Sequence, residues 1–486
     1  MLRRVALALL VLLVLLAAAG AAVWRALTPP DPLPLPPRGL VLADVTVVQP
    51  GEGRLPARRL VVEGGTIAEI GAASGGDAFA GTFALPGLID MHVHFPPQTG
   101  LRQTELFAFL HLYHGVTSVR DAGDPDGTAT APAREGVREG RFPGPRVFAC
   151  GPLLDGPDPV WSNSVVLREP AEAEPAVARL AEAGFDCVKV YDSLDADVLA
   201  AVREAARRHG LPVIGHVPRA VPFEEARLDD VQHLTGVLAR AGEPLPFPES
   251  LIGWRGFDEA RARFVTGISL AFDIAHTPTL VASERAAAMR DYDAARRSPD
   301  ALLLPRFYRD VVWSPSEGLP FLRQREERIY GLFDEALAGG QKLVARMHRA
   351  GVRIQAGTDA QVPFVVPGAA LHRELHLLAE AGLGPEGALA AATSVPGASL
   401  RVPGLGRLEA GAPADLVLFR EDPSVDLDNL DTLEAVVADG RLYRRADLDA
   451  QLERYRRHHE GRIFDALSVA VVRRVMVRLF AADDGS

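Results

Sequence analysis

The stretch Leu85-Pro86-Gly87-Leu88-Ile89-Asp90-Met91-His92-Val93-His94 decides how this chain is read. Pro-Gly marks a turn into an apolar run of strand character, and that run ends in two histidines one residue apart. Side chains alternate faces along a strand, so His92 and His94 project the same way as Asp90, close enough to grip one cation. A lone His-x-His pair is common on protein surfaces, and its weight here comes from residues further down the chain.

Four further candidate ligands sit at or near the C-terminal ends of later apolar runs. They are Lys189 in Asp186-Cys187-Val188-Lys189-Val190-Tyr191, His216 in Val213-Ile214-Gly215-His216, His233 in Asp230-Val231-Gln232-His233 and Asp359 in Ile354-Gln355-Ala356-Gly357-Thr358-Asp359. In a barrel of alternating strands and helices those ends converge on one face, where the active site lies. Imidazoles, a carboxylate and a modified lysine suit zinc or a similar divalent ion.

These motifs together resemble the amidohydrolase superfamily, in its imidazolonepropionase-like and prolidase-like branch of metal-dependent hydrolases. The resemblance rests on Pro86 to His94, Gly115-Val116-Thr117-Ser118-Val119-Arg120-Asp121, Val188-Lys189-Val190-Tyr191-Asp192 and Gly215-His216-Val217-Pro218. It continues through Gln232-His233-Leu234, Gly357-Thr358-Asp359-Ala360 and Gly411-Ala412-Pro413-Ala414-Asp415-Leu416-Val417-Leu418, in order, from about residue 40 to about residue 445. Gln232 departs from the pattern, since relatives often carry Glu there.

The resemblance implies an α/β fold: a (β/α)8 TIM barrel over residues 85–400, flanked by a small β-sandwich built from residues 39–84 and 401–445. Eight strand candidates centre on Ile89, Val119, Phe148, Val188, Ile214, Val231, Pro278 and Ile354, most of them separated by helical stretches. The stretch from Val281 to Leu343 is too long for one crossover and is expected to form a helical lid over the site.

The resemblance also assigns His92 and His94 to one divalent metal and His216 and His233 to a second, with zinc the expected ion. Lys189, carried as a carbamate, would bridge the two, and Asp359 would touch the first metal and face the reacting centre. Such a site hydrolyses C–N bonds of small molecules (amides, cyclic amides or dipeptides) through a metal-bridging hydroxide, with Asp359 as general base and acid. The alternative is a catalytically silent, membrane-tethered binding protein on the same barrel.

Lysine usage argues independently for Lys189. Of 52 basic residues only Lys189 and Lys342 are lysine. Arginine stays protonated and cannot add to carbon dioxide, whereas a desolvated lysine loses its proton and becomes nucleophilic. The bland reading is a lysine paired with a buried carboxylate. Tyr191 and His276 are candidate substrate contacts, each weighed against plain packing. Arg120 and Asp121 read as an ion pair bracing the barrel mouth. His111 and His114 read as ordinary helical residues, and His372 and His376, with Glu374 between them, as residues of a helix surface.

A net charge of -11 argues against nucleic acid as a partner and leaves a small-molecule substrate, with self-association open. Cys150 and Cys187 fall in neighbouring strand candidates; a bridge is conceivable, but two inert core thiols are the expectation. Residues 1–27 hold an apolar run from Val5 to Trp24 behind Arg3 and Arg4, either a signal peptide or a membrane anchor. Both readings place the rest of the chain outside the cytoplasm, periplasmic or otherwise extracytoplasmic. Residues 28–38 read as a proline-rich spacer, whose stretch from Pro29 to Pro37 would reach about 28 Å in polyproline II form. Residues 446–486 read as a helical tail with a basic amphipathic face, fit for the body of the protein or for a membrane surface.

Overall fold

The computed structural model describes residues 2–97, 101–125, 127–238, 257–318 and 327–480. Two structural units share the chain. The first joins both ends of the sequence in one seven-stranded mixed sheet, ordered β16-β15-β14-β4-β1-β2-β3. Its strands are β1 (Leu40–Gln49), β2 (Gly53–Glu63), β3 (Thr66–Ala72), β4 (Thr82–Pro86), β14 (Leu416–Phe419), β15 (Leu433–Ala438) and β16 (Arg441–Arg444). Gly64 and Gly65, both at positive φ, make the two-residue turn between β2 and β3. The joint between the two halves is the antiparallel pairing of β4 with β14, Pro86 opposite Leu416 and Phe83 opposite Phe419.

This unit differs from the expected sandwich. It is a single sheet that folds over its own core of Leu42, Val45, Val47, Leu60, Ile67, Leu416 and Leu418. The Ile67 N–H donates to the Ala412 carbonyl, which brings the far end of the sheet back onto the β14 side and closes that core.

The second unit carries the parallel strands. One sheet holds β5 (Leu88–Val93), β6 (Val116–Asp121) and β7 (Arg146–Ala149). The other holds β8 (Leu154–Asp155), β9 (Val165–Val166), β10 (Val188–Val190), β11 (Val213–Gly215), β12 (Asp230–Gln232) and β13 (Ala275–Thr277). The two sheets do not merge into one closed ladder. Between β7 and β10 the link is the Asp186 N–H to the Ala149 carbonyl at 2.7 Å, answered by the Asp186 carboxylate on the Ala149 N–H at 2.8 Å. On the other side, Ile354 makes an isolated bridge to His276, and the Met91 N–H donates to the Ala356 carbonyl. The seventh strand therefore precedes Pro278, whose ring lacks the N–H a ladder needs. The eighth strand candidate is only a bridge.

Cys150 and Cys187 are bonded to each other as a disulfide, not held as two inert thiols. They follow β7 and precede β10, and the absent ladder between those strands leaves their side chains facing each other inside the barrel with Ala122 and Ile214. Arg120 also departs from expectation. Its guanidinium pairs with Asp230 across the barrel, and its Nε donates to the Met91 carbonyl at 2.9 Å. Asp121 instead accepts N–H bonds from Phe95 and Gly123. Strand alternation explains this, because neighbours on β6 face opposite ways.

The insert is helical where described, with helices Leu280–Ala288 and Glu327–Ala350, while residues 319–326 lie outside the described residues. Its Trp313 is buried and donates to the Gln361 carbonyl at 3.0 Å, tying the insert to the loop just after Asp359. The proline-rich stretch does not stand free as a spacer. Prolines lack N–H groups but keep their carbonyls: Arg441 donates to the Pro36 carbonyl, Gln451 donates to that of Asp31, and Leu33 packs on the core.

The N-terminal helix, Leu2–Leu27, touches the C-terminal helix Arg462–Phe480. The latter buries Phe464, Val469 and Met476 and leaves Ile463, Leu467, Val471 and Val475 exposed. Among the described residues no helix is long and apolar enough to cross a membrane, and part of the apolar run from Val5 lies outside the side chains described.

Folded, unreduced protein should show no thiol reactive to alkylation, and reduction should lower its stability by about 3 kcal/mol, within the usual range for such a bond. Two labelled thiols in unreduced protein would refute the bond between Cys150 and Cys187. Acid should also weaken the fold. Burial pulls the pKa of His111, and of His459, down to about 3. The unfolded chain takes up those protons near pH 6.5, so stability present above about 6.5 drains as pH falls toward the folded values, by at most about 1.4 kcal/mol per pH unit per histidine. Urea midpoints followed from neutral pH downward should show this slope, and His111→Leu should flatten it.

Candidate active site

The strands deliver the candidate side chains to one mouth. His92 lies within β5, and His94 comes directly after its last residue. Asp359 is held against the same strand by its own N–H, which donates to the His92 carbonyl at 2.7 Å. Gly357 permits this approach: a Cβ there would lie 2.4 Å from the Thr277 methyl carbon and 3.0 Å from the His92 nitrogen. His216 and His233 directly follow β11 and β12, and Lys189 is the middle residue of β10. Gly215 plays the same part for His216, since its α-carbon faces the Val190 carbonyl and a Cβ would sit 2.1 Å from that oxygen.

The resulting cluster is tight. His94 Nε2 lies 3.1 Å from Asp359 Oδ1, and His92 Nε2 lies 3.4 Å from the same oxygen. The two Nε2 atoms are 3.2 Å apart. Among the described residues, His92, His94 and Asp359 are the group whose ligand atoms all fall within 4.8 Å of one another, a spacing that fits one cation. His233 joins them, its ring centroid 4.4 Å from that of His92 and its Nδ1 4.0 Å from Asp359 Oδ2. His216 packs on His233 at 5.1 Å.

Each of these four imidazoles has its Nδ1 engaged in a hydrogen bond. His92 donates to Gln232 Oε1 at 2.5 Å, His94 to the Gly123 carbonyl at 2.7 Å and His216 to Asp192 Oδ1 at 2.6 Å, while His233 Nδ1 shares a hydrogen bond with Thr279 Oγ1 at 2.6 Å. A neutral ring that donates through Nδ1 keeps its lone pair on Nε2. Imidazoles gathered with a carboxylate in a buried pocket favour a bound cation, and outer hydrogen-bond partners of this kind are how metal-binding histidines are oriented.

Electrostatics agrees. Burial pulls the His92 and His233 pKa values well below the usual histidine range, with the positive charge of Lys189 adding to the effect in both. Burial also opposes the charged form of His94, yet the hydrogen bond and charge of Asp359 overcome it and raise that pKa. For Asp359 burial works upward, but His233, His94 and Lys189 hold its carboxyl below the usual carboxylate range. Burial brings the Lys189 ammonium down to about 7 despite the nearby Asp359 charge. Lys189 is 1% exposed, lies 5.9 Å from the Tyr191 ring centroid and, among the described residues, has no ion-pair partner.

Tyr191 lies at the cluster, its ring 4.2 Å from that of His216 and its hydroxyl 3.4 Å from the Trp161 indole nitrogen that donates to it. His276 does not. Its neighbour Thr277 faces inward to Asp230, so His276 faces outward, where Nε2 meets Ser269 Oγ at 2.8 Å and the ring packs on Phe223. His372 donates to the His114 carbonyl at 2.8 Å and is only partly exposed. The residues that sequence reasoning misses are the outer acceptors Asp192, Thr279 and the Gly123 carbonyl. Only Asp192 leaves a signal, since it closes the motif Val188-Lys189-Val190-Tyr191-Asp192.

Strain gathers here too. His233, Leu234, Thr279, Asp359, Gln361 and Phe364 all have positive φ without being glycine. Such residues persist where surrounding structure holds them, and they concentrate at functional sites.

The sequence profile of the amidohydrolase family matches residues 83–443. No curated protein matches the sequence. Among solved structures, a bottromycin amidohydrolase is similar over 90% of this chain and 93% of its own, with 24% identity and a TM-score of 0.70. A Xaa-Pro dipeptidase with methionine bound in its active site is similar over 84% of this chain and 100% of its own, at 20% identity and a TM-score of 0.62. Ochratoxinase of A. niger is similar over 84% and 96%, at 16% identity and a TM-score of 0.59.

Removing one outer acceptor should loosen the imidazole it holds. Asp192→Ala is expected to weaken metal affinity about 10- to 100-fold, read by competition with a chromophoric chelator. Unchanged affinity would remove Asp192 from this role.

Proposed function

The chain belongs to the amidohydrolase family, a family of hydrolases that is generally metal-dependent and built on a (β/α)8 barrel, and from that premise we propose that it cleaves a C–N bond in a small molecule. The observation that carries the reading is the cluster of His92, His94 and Asp359, ligand atoms all within 4.8 Å of one another, with the rings of His233 and His216 packed beside it and the buried amine of Lys189 nearby. His92, His94 and Asp359 would hold one divalent ion, and His216 and His233 a second, zinc being the ion this donor set suits best. Lys189 would lie between them as a carbamate: its neutral amine adds to carbon dioxide, forming an N–C bond and releasing one proton. A pKa brought down to about 7 leaves that amine largely unprotonated at mildly alkaline pH.

Bound there, such ions supply an activated water and polarise the scissile carbonyl. The chain's own groups do the rest. Asp359, ionised at rest, accepts the proton of the attacking water and returns it to the departing nitrogen. Tyr191, whose phenol burial holds in the protonated form, donates a hydrogen bond to the substrate's carbonyl or carboxylate. The fixed imidazoles keep their orientation without protein rearrangement during the step.

For the substrate we propose a dipeptide, an N-acyl amino acid or a cyclic amide. That choice is supported by structural likeness to an Xaa-Pro dipeptidase and a bottromycin amidohydrolase, while selectivity belongs to the loops beyond the strands. We further propose that the protein works outside the cytoplasm. A disulfide inside the barrel supports an oxidising compartment, and so does the apolar helix that leads the chain.

Metal analysis combined with a library of dipeptides, N-acyl amino acids and lactams tests the reading. Chelation should abolish turnover and added zinc restore it. Asp359→Asn should lower kcat at least about 100-fold, and Lys189→Ala should lose both metal and activity. A wild-type protein that holds two equivalents yet turns over no amide in the library would defeat the proposal.

A further inference from the structure

Glu374 is a fully buried carboxyl that the hydrolytic chemistry leaves unused. It sits on the helix Ala369–Leu378, which packs beside the helix Leu280–Ala288. The second helix begins in an unusual way. Thr279 occupies its N-cap position, where a threonine hydroxyl normally accepts one of the first free N–H groups. Here Thr279 makes no such bond. Its Oγ1 points instead to His233 Nδ1, 2.6 Å away.

The backbone of Thr279 adopts φ 47° and ψ 51°, a left-handed conformation that a β-branched residue rarely tolerates. The helix start left without its own cap is served from outside. The Leu280 N–H donates to Glu374 Oε1 at 3.1 Å and the Val281 N–H to Oε2 at 2.7 Å. The next N–H, that of Ala282, turns back to the Thr279 carbonyl at 3.0 Å. The cap has therefore been moved from the adjacent residue to one 94 positions away. Arg373, beside Glu374, clamps the same two helices through a forked bond to Glu284.

A carboxylate in such a place is costly to bury, and a serine or aspartate at position 279 would cap the helix more simply. What the borrowed cap achieves is to free the Thr279 hydroxyl while pinning the turn that carries it. We propose that Glu374 is a positioning residue for His233: it takes over the capping of the helix Leu280–Ala288 so that Thr279 is held, in its left-handed conformation, against His233 Nδ1. This rests on the reading of His233 as a metal ligand.

The test uses the full chain, stripped of metal and titrated with zinc and with cobalt. Thr279→Val removes the hydroxyl at constant shape, and Thr279→Ser keeps it. Glu374→Gln replaces one accepting oxygen with a donor. If Glu374→Gln does not accumulate as folded protein, Glu374→Asp, one methylene shorter, replaces it with the same expectation. Affinity for the second metal equivalent should fall about tenfold or more in Thr279→Val and in Glu374→Gln. The visible spectrum of the cobalt-loaded protein should change in the same way in both, and Thr279→Ser should match the wild type. The double variant Glu374→Gln/Thr279→Val should bind no more weakly than Thr279→Val alone, because both changes act on one imidazole.

A Glu374→Gln protein with a lowered melting temperature but unchanged affinity and cobalt spectrum would make Glu374 a helix cap and nothing more. Losses that multiply in the double variant would equally overturn the proposal. A wild-type chain that takes up no metal would overturn the metal reading itself, and this proposal with it.

Discussion

A histidine offers a metal only one of its two nitrogens, and something else must decide which. Here a different kind of group decides for each ring: an amide oxygen for His92, a backbone carbonyl for His94, a carboxylate for His216 and a hydroxyl for His233. These acceptors differ in charge. Asp192 is an acid that strengthens the electron donation of His216, whereas Gln232 is neutral and leaves its own amide nitrogen without a partner among the described residues. The surroundings of the rings are thus not equivalent electronically.

Below the cluster the barrel is polar as well. Asp230 receives Arg120, the Thr277 hydroxyl and the Gln355 amide, so the interior holds an ionic network, in which Gln355 Oε1 is left without a partner among the described residues. Breaking one member of such a network leaves its partner's charge buried and uncompensated, which costs more than the pair contributes. The cationic Arg120 also lies close enough to Lys189 to help keep its amine uncharged.

Much of the site is legible in the sequence because it obeys a simple rule. A polar residue closing a short apolar run points to the mouth of a barrel, and His92, His94, His216, His233 and Asp359 are all residues of this kind. The rule gives no guide to side chains whose partner lies on another strand. Proximity in the chain pairs Arg120 with Asp121, whereas its partner in the fold is Asp230. His276 looks like a site residue from its place beside a strand, while strand alternation turns it outward. Cys150 and Cys187 bond where β7 and β10 share no ladder, an arrangement that no local pattern encodes. Glu374 draws no notice between two histidines on its helix, since its role depends on a turn far away in the chain.

The pairing of β4 with β14 has a consequence for how the molecule comes into being. β4 (Thr82–Pro86) is made long before its neighbour on that side, β14 (Leu416–Phe419). Until β14 has been made, β4 carries a row of unanswered amide and carbonyl groups along an exposed edge, the kind of edge that recruits strangers. Closing so long a loop is also slow. A nascent chain of this design therefore has reason to be shielded by helpers until β14 arrives, and a message cut short before β14 would yield a protein open along that seam.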